Sequence, residues 1–292
     1  MFEGSLVAMI TPMTLDGMLD EPALRRLVNW HIEQGSNGLV PAGTTGESPV
    51  LSAEEHRDVI RIVIDETRGR VPVIAGCGSN NTREALAFHD YAHQQGADGA
   101  LHVTGYYNRP SQQGIYRHFE ALSESNELPI IVYNIPPRST VDISADTMAR
   151  LATLPSVVGV KDATRDLARP AIEQMKIDAP FSYLSGEDAT AVAYNAAGGN
   201  GCISVTANVA PALCARLQQA CRDNDYQTAR DIQRRLMPLH EALFREPSPA
   251  GIKYACATRG LCTETLRLPL ISLEDDSKEL IDAALQSLEQ DG

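Results

Sequence analysis

Lysine is scarce in this chain. Of its 25 cationic side chains only four are lysines, Lys161, Lys176, Lys253 and Lys278, and the rest are arginines. Cations as a whole are outnumbered by 38 Asp and Glu residues. The resulting formal net charge of -13 argues against nucleic acid or an anionic membrane as the main partner. No apolar run approaches the roughly 20 residues that span a bilayer. The opening MFEGSLVAMITPM has neither a basic start nor a signal-length apolar stretch, so a cytosolic chain is expected. The six cysteines (Cys77, Cys202, Cys214, Cys221, Cys256, Cys262) form no C-x-x-C pair and no metal-type cluster. Reduced, mostly buried thiols are expected. No G-x-G-x-x-G follows a strand-like run, which removes the dinucleotide fingerprint.

What the chain does have is a rhythm. Its 292 residues, 43% hydrophobic and 22% charged, suffice for one large domain or two ordinary ones. Eight short β-rich runs recur: SLVAMI (5–10), GLVPAG (38–43), VPVIAG (71–76), GALHVT (99–104), PIIVYN (129–134), VVGVK (157–161), FSYLSG (181–186) and GCISV (201–205). Their spacing, roughly 20 to 33 residues, is that of a βα unit. Most are continuously apolar, as parallel strands covered on both faces are. Helix signals fall between them. Ser52 and Glu55 form a capping box, Asn81 or Thr82 can cap a helix that stops at Gly96, and Ser144 can cap another. The pattern predicts an α/β fold, a (β/α)8 TIM barrel with a C-terminal helical extension. The expected division is a catalytic barrel over 1–224 and a helical bundle over 225–292.

Such barrels do their chemistry at the C-terminal ends of the strands. Those ends carry Thr44 and Thr45 after the second run, Tyr106 and Tyr107 after the fourth, and Tyr133 in the fifth. Lys161 follows the sixth, Gly186 the seventh, and Ile203 lies on the eighth. No His–Asp–Ser set, paired carboxylates or metal-ligand cluster is among them. VVGVKDAT puts Lys161 straight after an apolar run, whereas the other three lysines lie in polar or helical-looking stretches. A lysine partly desolvated in an apolar mouth has a lowered pKa, and its neutral amine attacks ketones to form a Schiff base. A phenol such as Tyr133 can move the protons. The plain alternative is a strand-end lysine reaching to solvent.

Two further segments stand out. In PAGTTGESPVLSAEE (41–55), Gly43 and Gly46 permit a tight turn, and the amides of Thr44 and Thr45 are placed to hold a carboxylate. In YNIPPRST (133–140), two prolines stiffen the loop and aim Arg138, a good bidentate carboxylate clamp. Taken alone, each is equally compatible with an ordinary loop.

G-T-T-G-E, Y-N-x-P-x-R and G-V-K in this order, each at a predicted strand end, resemble the class I pyruvate-dependent aldolases. The resemblance is closest to the dihydrodipicolinate synthase family and covers essentially the whole chain. It implies condensation of pyruvate with L-aspartate 4-semialdehyde in the diaminopimelate route to lysine, with no metal or organic cofactor. Lys161 would form the imine. Tyr133, Thr44 and, from a neighbouring subunit, Tyr107 would relay protons. Thr45 would bind the pyruvate carboxylate, Arg138 the carboxylate of the semialdehyde, Ile203 would offer its carbonyl, and Gly186 would line the pocket. The resemblance also implies a homotetramer, a dimer of tight dimers with Tyr106 at the tight interface. L-lysine is the implied effector, held by Ser48, Pro49, Leu51, His56, Asn80, Glu84 and Tyr106. Ala53 stands where some lysine-sensitive members have histidine.

Two rivals remain at this point. A related aldolase or lyase of N-acetylneuraminate or 2-keto-3-deoxy sugar acids would keep Lys161 and Tyr133 but handle a longer, hydroxylated partner. Arg138 and GTTGE rather than GSTGE point away from it. A non-catalytic metabolite-binding barrel is the other, and the intact set of Lys161, Tyr133, Thr44 and Tyr107 stands against it.

Overall fold

The structure, a computed structural model, describes residues 1–290; the last two residues of the expected 225–292 bundle lie outside the described residues. Eight strands alternate with helices along the chain: β1 (Gly4–Ala8), β2 (Gly38–Val40), β3 (Ile74–Gly76), β4 (Gly99–Val103), β5 (Ile130–Asn134), β6 (Val157–Asp162), β7 (Ser182–Ser185) and β8 (Gly201–Ser204). All pair in parallel, and β8 returns to β1. A parallel bridge between Leu39 and Val73, backed by a bond from Leu39 N to the Pro72 carbonyl at 2.9 Å, closes the ring between β2 and β3. Each strand falls on one of the eight apolar runs. The barrel was legible because strands buried on both faces have no polar alternation to confuse the count.

The helices between them are α1 (Glu21–Glu33), α2 (Ala53–Thr67), α3 (Thr82–Gln95), α4 (Gln112–Ser125), the short α5 (Pro136–Ser139), α6 (Ala145–Leu151), α7 (Arg169–Gln174), α8 (Ala191–Ala196) and α9 (Pro211–Arg222). Three more complete the chain: α10 (Tyr226–Ala242), α11 (Ala250–Thr258) and α12 (Asp275–Gln290). The expected caps form. Ser52 and Glu55 satisfy each other's backbone ahead of α2, Asn81 caps α3, Ser144 caps α6, and Gly96 ends α3 at φ 81°. Left-handed φ is the conformation for which glycine carries no steric cost.

Barrel interior and outer layer divide the strand side chains. Leu6, Ala8, Val40, Ile74, Leu101, Ile131, Tyr133, Leu184 and Ile203 pack inside as one apolar cluster. A second cluster joins Val132 and Val160 to Phe119 of α4 and Met148 of α6. The largest core runs without a break from Val7 and Leu39 through α1, α2 and α9 to Leu236 of α10 and Ile281 of α12. The C-terminal helices therefore share apolar core with the barrel's flank.

Candidate active site

Strand register sets the first contact. Tyr133 on β5 pairs with Lys161 on β6, and Lys161 pairs with Leu184 on β7. Neighbours in register point to the same face, so the phenol and the amine share the barrel interior. The Nζ of Lys161 stands 4.2 Å from the centre of the Tyr133 ring. Both side chains are 6% exposed. The lysine does not reach to solvent as a surface strand-end lysine would.

One layer below, Gly159 pairs with Ile131 and Ser182. A β-carbon there would come within 2.6 Å of the Ser182 carbonyl and 3.0 Å of Ile131 Cδ1. Glycine at this inward position leaves its space to Ile131, which builds the floor under Lys161 and Tyr133.

Thr44 and Thr45 come from the loop after β2. With Lys161, Tyr133, Ala8, Val40, Leu101 and Val103 they enclose an inner pocket of about 40 Å³. The wall mixes apolar side chains with polar groups, and the Lys161 amine, the Tyr133 phenol and the hydroxyls of Thr44, Thr45 and Ser48 are its reactive groups. Thr44 and Ser48 also line a wider outer cleft of about 370 Å³, bounded by Pro49, Leu51, His56, Glu84, Phe88, Tyr106, Ile135 and Arg138. Arg138 sits at the exposed rim on α5, where it lines the cleft and its Nη2 donates to the Ser248 carbonyl at 3.5 Å. A small site holding an amine thus opens into a larger one with a guanidinium at its lip.

Six of the seven residues expected to hold an effector line that outer cleft: Ser48, Pro49, Leu51, His56, Glu84 and Tyr106. Asn80 does not. It lines a separate small cavity with Thr82 and Thr104, and its Nδ2 donates to the Tyr106 carbonyl at 3.2 Å. Ala53 is part of the cleft wall. Glu84 is exposed, but His56 is no exposed helix residue: it is buried and stacked on Phe88 at 4.0 Å. Its Nε2–H donates to the Gly76 carbonyl at 2.7 Å, and burial holds the imidazole below its usual range. The ring is therefore neutral at pH 7, with Nε2 committed to the backbone.

Two expected site residues stand slightly off the pocket. Gly186 packs against the shaft of Lys161 rather than lining the cavity, and its N donates to the Asp162 carbonyl at 2.6 Å. Ile203 is buried in the barrel interior, registered with Leu6 of β1. Tyr107 stands apart from the cleft altogether. It is 90% exposed, and its φ of 67° is strained for an aromatic residue.

The sequence reading missed several wall residues, Gly78, Phe88, Val103, Ile135 and Ser139 among them. Gly78 follows the end of β3, a strand end whose neighbours also belonged to the mouth. Of the lysines read as lying in polar or helical-looking stretches, Lys253 does lie on a helix, α11, but it is fully buried there and ion-paired with Glu47. A signal existed: α11 is buried on nearly every face, and a helix without a polar stripe lies inside the protein. The six cysteines are unpaired, five of them buried and Cys262 half-buried. Among the described residues no helix is long and apolar enough to cross a membrane.

Comparison with known proteins points the same way. The model of the dihydrodipicolinate synthetase family matches residues 1–288. A 4-hydroxy-tetrahydrodipicolinate synthase of Ruegeria pomeroyi is 58% identical over 286 residues, 98% of each chain. The crystal structure of a chloride-inhibited dihydrodipicolinate synthase from Acinetobacter baumannii complexed with pyruvate superimposes with a TM-score of 0.97 at 43% identity, covering 99% of both chains. A dihydrodipicolinate synthase from Cyanidioschyzon merolae with lysine bound superimposes with a TM-score of 0.96 at 33% identity, covering 99% of this chain and 98% of the other. An eight-stranded parallel barrel with a buried amine beside a phenol, matched from end to end, has one consistent description: the chain belongs to the dihydrodipicolinate synthetase family.

Proposed function

We propose that this protein condenses pyruvate with L-aspartate 4-semialdehyde, the 4-hydroxy-tetrahydrodipicolinate synthase reaction, as a cytoplasmic step toward diaminopimelate and lysine. The single observation that carries this reading is the buried Lys161 amine, 4.2 Å from the Tyr133 ring, in a small inner pocket that opens into a wider cleft.

The residues fall into a sequence of steps. The Lys161 amine adds to the ketone carbon of pyruvate, and water leaves as the imine forms. The cationic imine draws electrons from the adjacent methyl, which gives up a proton to become an enamine. Tyr133 and Thr44 move that proton within the pocket. The enamine carbon attacks the aldehyde carbon of the second substrate, and the new alkoxide takes a proton back. The semialdehyde's own amine then attacks the imine carbon, closing a ring and freeing Lys161. Thr45 holds the pyruvate carboxylate, Gly186 keeps the lysine path open, and Ile203 offers its carbonyl at the barrel floor. Arg138 at the rim meets the semialdehyde carboxylate. The same rim is what favours this acceptor over a hydroxylated sugar acid.

Tyr107 gives the assembly its role in this reading. A strained, almost fully exposed phenol is explained by a second subunit that receives it. We infer a homotetramer of two tight dimers, in which a neighbouring subunit's tyrosine completes each subunit's relay. The barrel, residues 1–224, supplies the chemistry, and the described part of 225–292, up to residue 290, forms the helical extension.

The outer cleft favours L-lysine as an effector, because it gathers a carboxylate, Glu84, with the Tyr106 and Ser48 walls. The α-ammonium would pair with Glu84, and coupling of about 1–3 kcal/mol is typical of such regulation. Ala53 leaves one wall without a polar group.

Borohydride reduction in the presence of pyruvate, followed by peptide mapping, tests the core of the proposal. The expected result is an adduct on Lys161 and turnover of the semialdehyde. An unmodified Lys161 in folded protein would replace this reading with the non-catalytic barrel. Saturating L-lysine should slow the reaction, and an unchanged rate removes the effector role. Native mass spectrometry should give four chains.

A further inference from the structure

We propose that Lys253 is a positioning residue: through its buried ion pair with Glu47, the C-terminal helices hold the loop that carries Thr44 and Thr45. The inference rests on the aldolase reading above and deepens it.

Lys253 on α11 is 0% exposed and Glu47 is 1% exposed, and the Lys253 ammonium bonds directly to Glu47 Oε1. The partners are 206 residues apart in the chain. A buried charge pair is costly to desolvate, and apolar residues of the same volume often stabilise as well or better. Fold stability is therefore a poor account of why both charges are there. What the pair adds is direction, since a charge-assisted hydrogen bond fixes both ends.

Glu47 needs such fixing. Its φ is 58°, left-handed for a residue with a side chain, and Ala42 at the other end of the loop has φ 54°. Conformations of that kind persist only where the surroundings hold them. Between these two points the loop is tied to itself: Glu47 N donates to the Thr44 carbonyl at 3.1 Å and Ser48 N to the Gly43 carbonyl at 3.3 Å. The second oxygen of Glu47 accepts from Arg267 N at 3.3 Å. The Arg267 guanidinium in turn donates to the Val50 carbonyl at 2.9 Å and pairs with Glu55 at 2.5 Å. Both carboxylate oxygens of Glu47 are thus held by the segment after the barrel. Thr44 and Thr45 lie three and two positions upstream, lining the inner pocket with Lys161. A small displacement there costs catalysis far more than it costs packing.

The test compares Lys253→Met with the double variant Glu47→Leu, Lys253→Met in the full-length protein. The single variant strands a buried carboxylate and should lower Tm. The double variant removes both charges and should regain most of that Tm, yet its kcat should stay at least tenfold down and its KM for pyruvate several-fold up. Borohydride should still label Lys161 in it. A double variant with parental kcat and KM overturns the inference and leaves the pair a packing feature. Should the double variant not fold, Glu47→Asp shortens the reach by one methylene while keeping the charges. Lowered kcat at near-parental Tm supports the proposal, and unchanged kcat overturns it. Failure of the parent protein to form a pyruvate adduct overturns the aldolase reading and this inference with it. An adduct in the parent beside an unimpaired double variant overturns this inference alone.

Discussion

Gly186 lies against the shaft of Lys161. A β-carbon at position 186 would stand 3.2 Å from Lys161 Cε, 3.0 Å from Ala163 Cβ and 3.2 Å from the Asp162 carbonyl. The loop after β7 therefore leaves room for the amine by omitting a side chain. Gly186→Ala is expected to displace the lysine and slow imine formation about tenfold, a barrier change of about 1.4 kcal/mol. The backbone bond to Asp162 survives, so the fold should too. The rate of borohydride-trappable adduct measures it, and an unaltered rate would show that the lysine tolerates the crowding.

Tyr133→Phe keeps the ring that packs beneath Lys161 and loses only the phenolic proton. Turnover should fall about 10²–10⁴-fold, the usual span for a lost proton-transfer group. Circular dichroism and Tm should barely move. Lys161→Ala should abolish the adduct. Retention of parental turnover by Tyr133→Phe would move the proton relay to other groups.

Arg138→Ala should raise KM for the semialdehyde, while pyruvate still forms the imine on Lys161. The reason is position: Arg138 lines the outer cleft and not the inner pocket. Loss of the pyruvate adduct alone would mean that the two carboxylate sites have been assigned the wrong way round.

Stability should depend on pH through buried histidines. Burial pushes His31 down to about 3 and His89 and His118 to about 4, and holds His102 well below its ordinary value. Their folded pKa values lie under the unfolded value of about 6.5, so the unfolded chain binds more protons below that pH. Stability from these groups is complete above pH 6.5 and is lost as pH falls toward 3, each fully shifted site contributing up to about 1.4 kcal/mol per pH unit. Glu173 acts in the opposite sense. Burial raises its carboxyl to about 8, aided by the nearby Asp162, so its contribution fades as pH rises from about 4.5 through 8. Several histidines outweigh one carboxyl on the acid side, and Glu173 stands out on the alkaline side. Urea midpoints between pH 4.5 and 8.5 should peak near neutrality. His31→Leu should flatten the acid limb and Glu173→Gln the alkaline one; limbs unchanged by either substitution would place the titration elsewhere.

Much of this molecule could be read from local pattern. Eight runs such as PIIVYN and GCISV are buried on both faces, so each announces a parallel strand without reference to its partners. The capping box of Ser52 and Glu55 closes within four residues and is legible for the same reason. Lys161 and Tyr133 were also within reach, because strand ends of such a barrel converge on one mouth.

Other features depend on partners distant in the chain. Lys253 sits in a helical segment whose partner, Glu47, lies 206 residues earlier, and no spacing rule links them. His56 was implied only as an effector residue, and its enclosure by Phe88 and the Gly76 carbonyl had no signal in the sequence. Asn80 was grouped with the other effector residues by resemblance, yet it bonds to the Tyr106 backbone and lines another cavity. The sequence by itself determined the strands, the helix caps and the strand-end chemistry, because period, burial and capping act over a few residues. Only the tertiary structure decided which charges are buried and what holds the reactive loop, because a buried charge is stable only against a partner that folding brings to it.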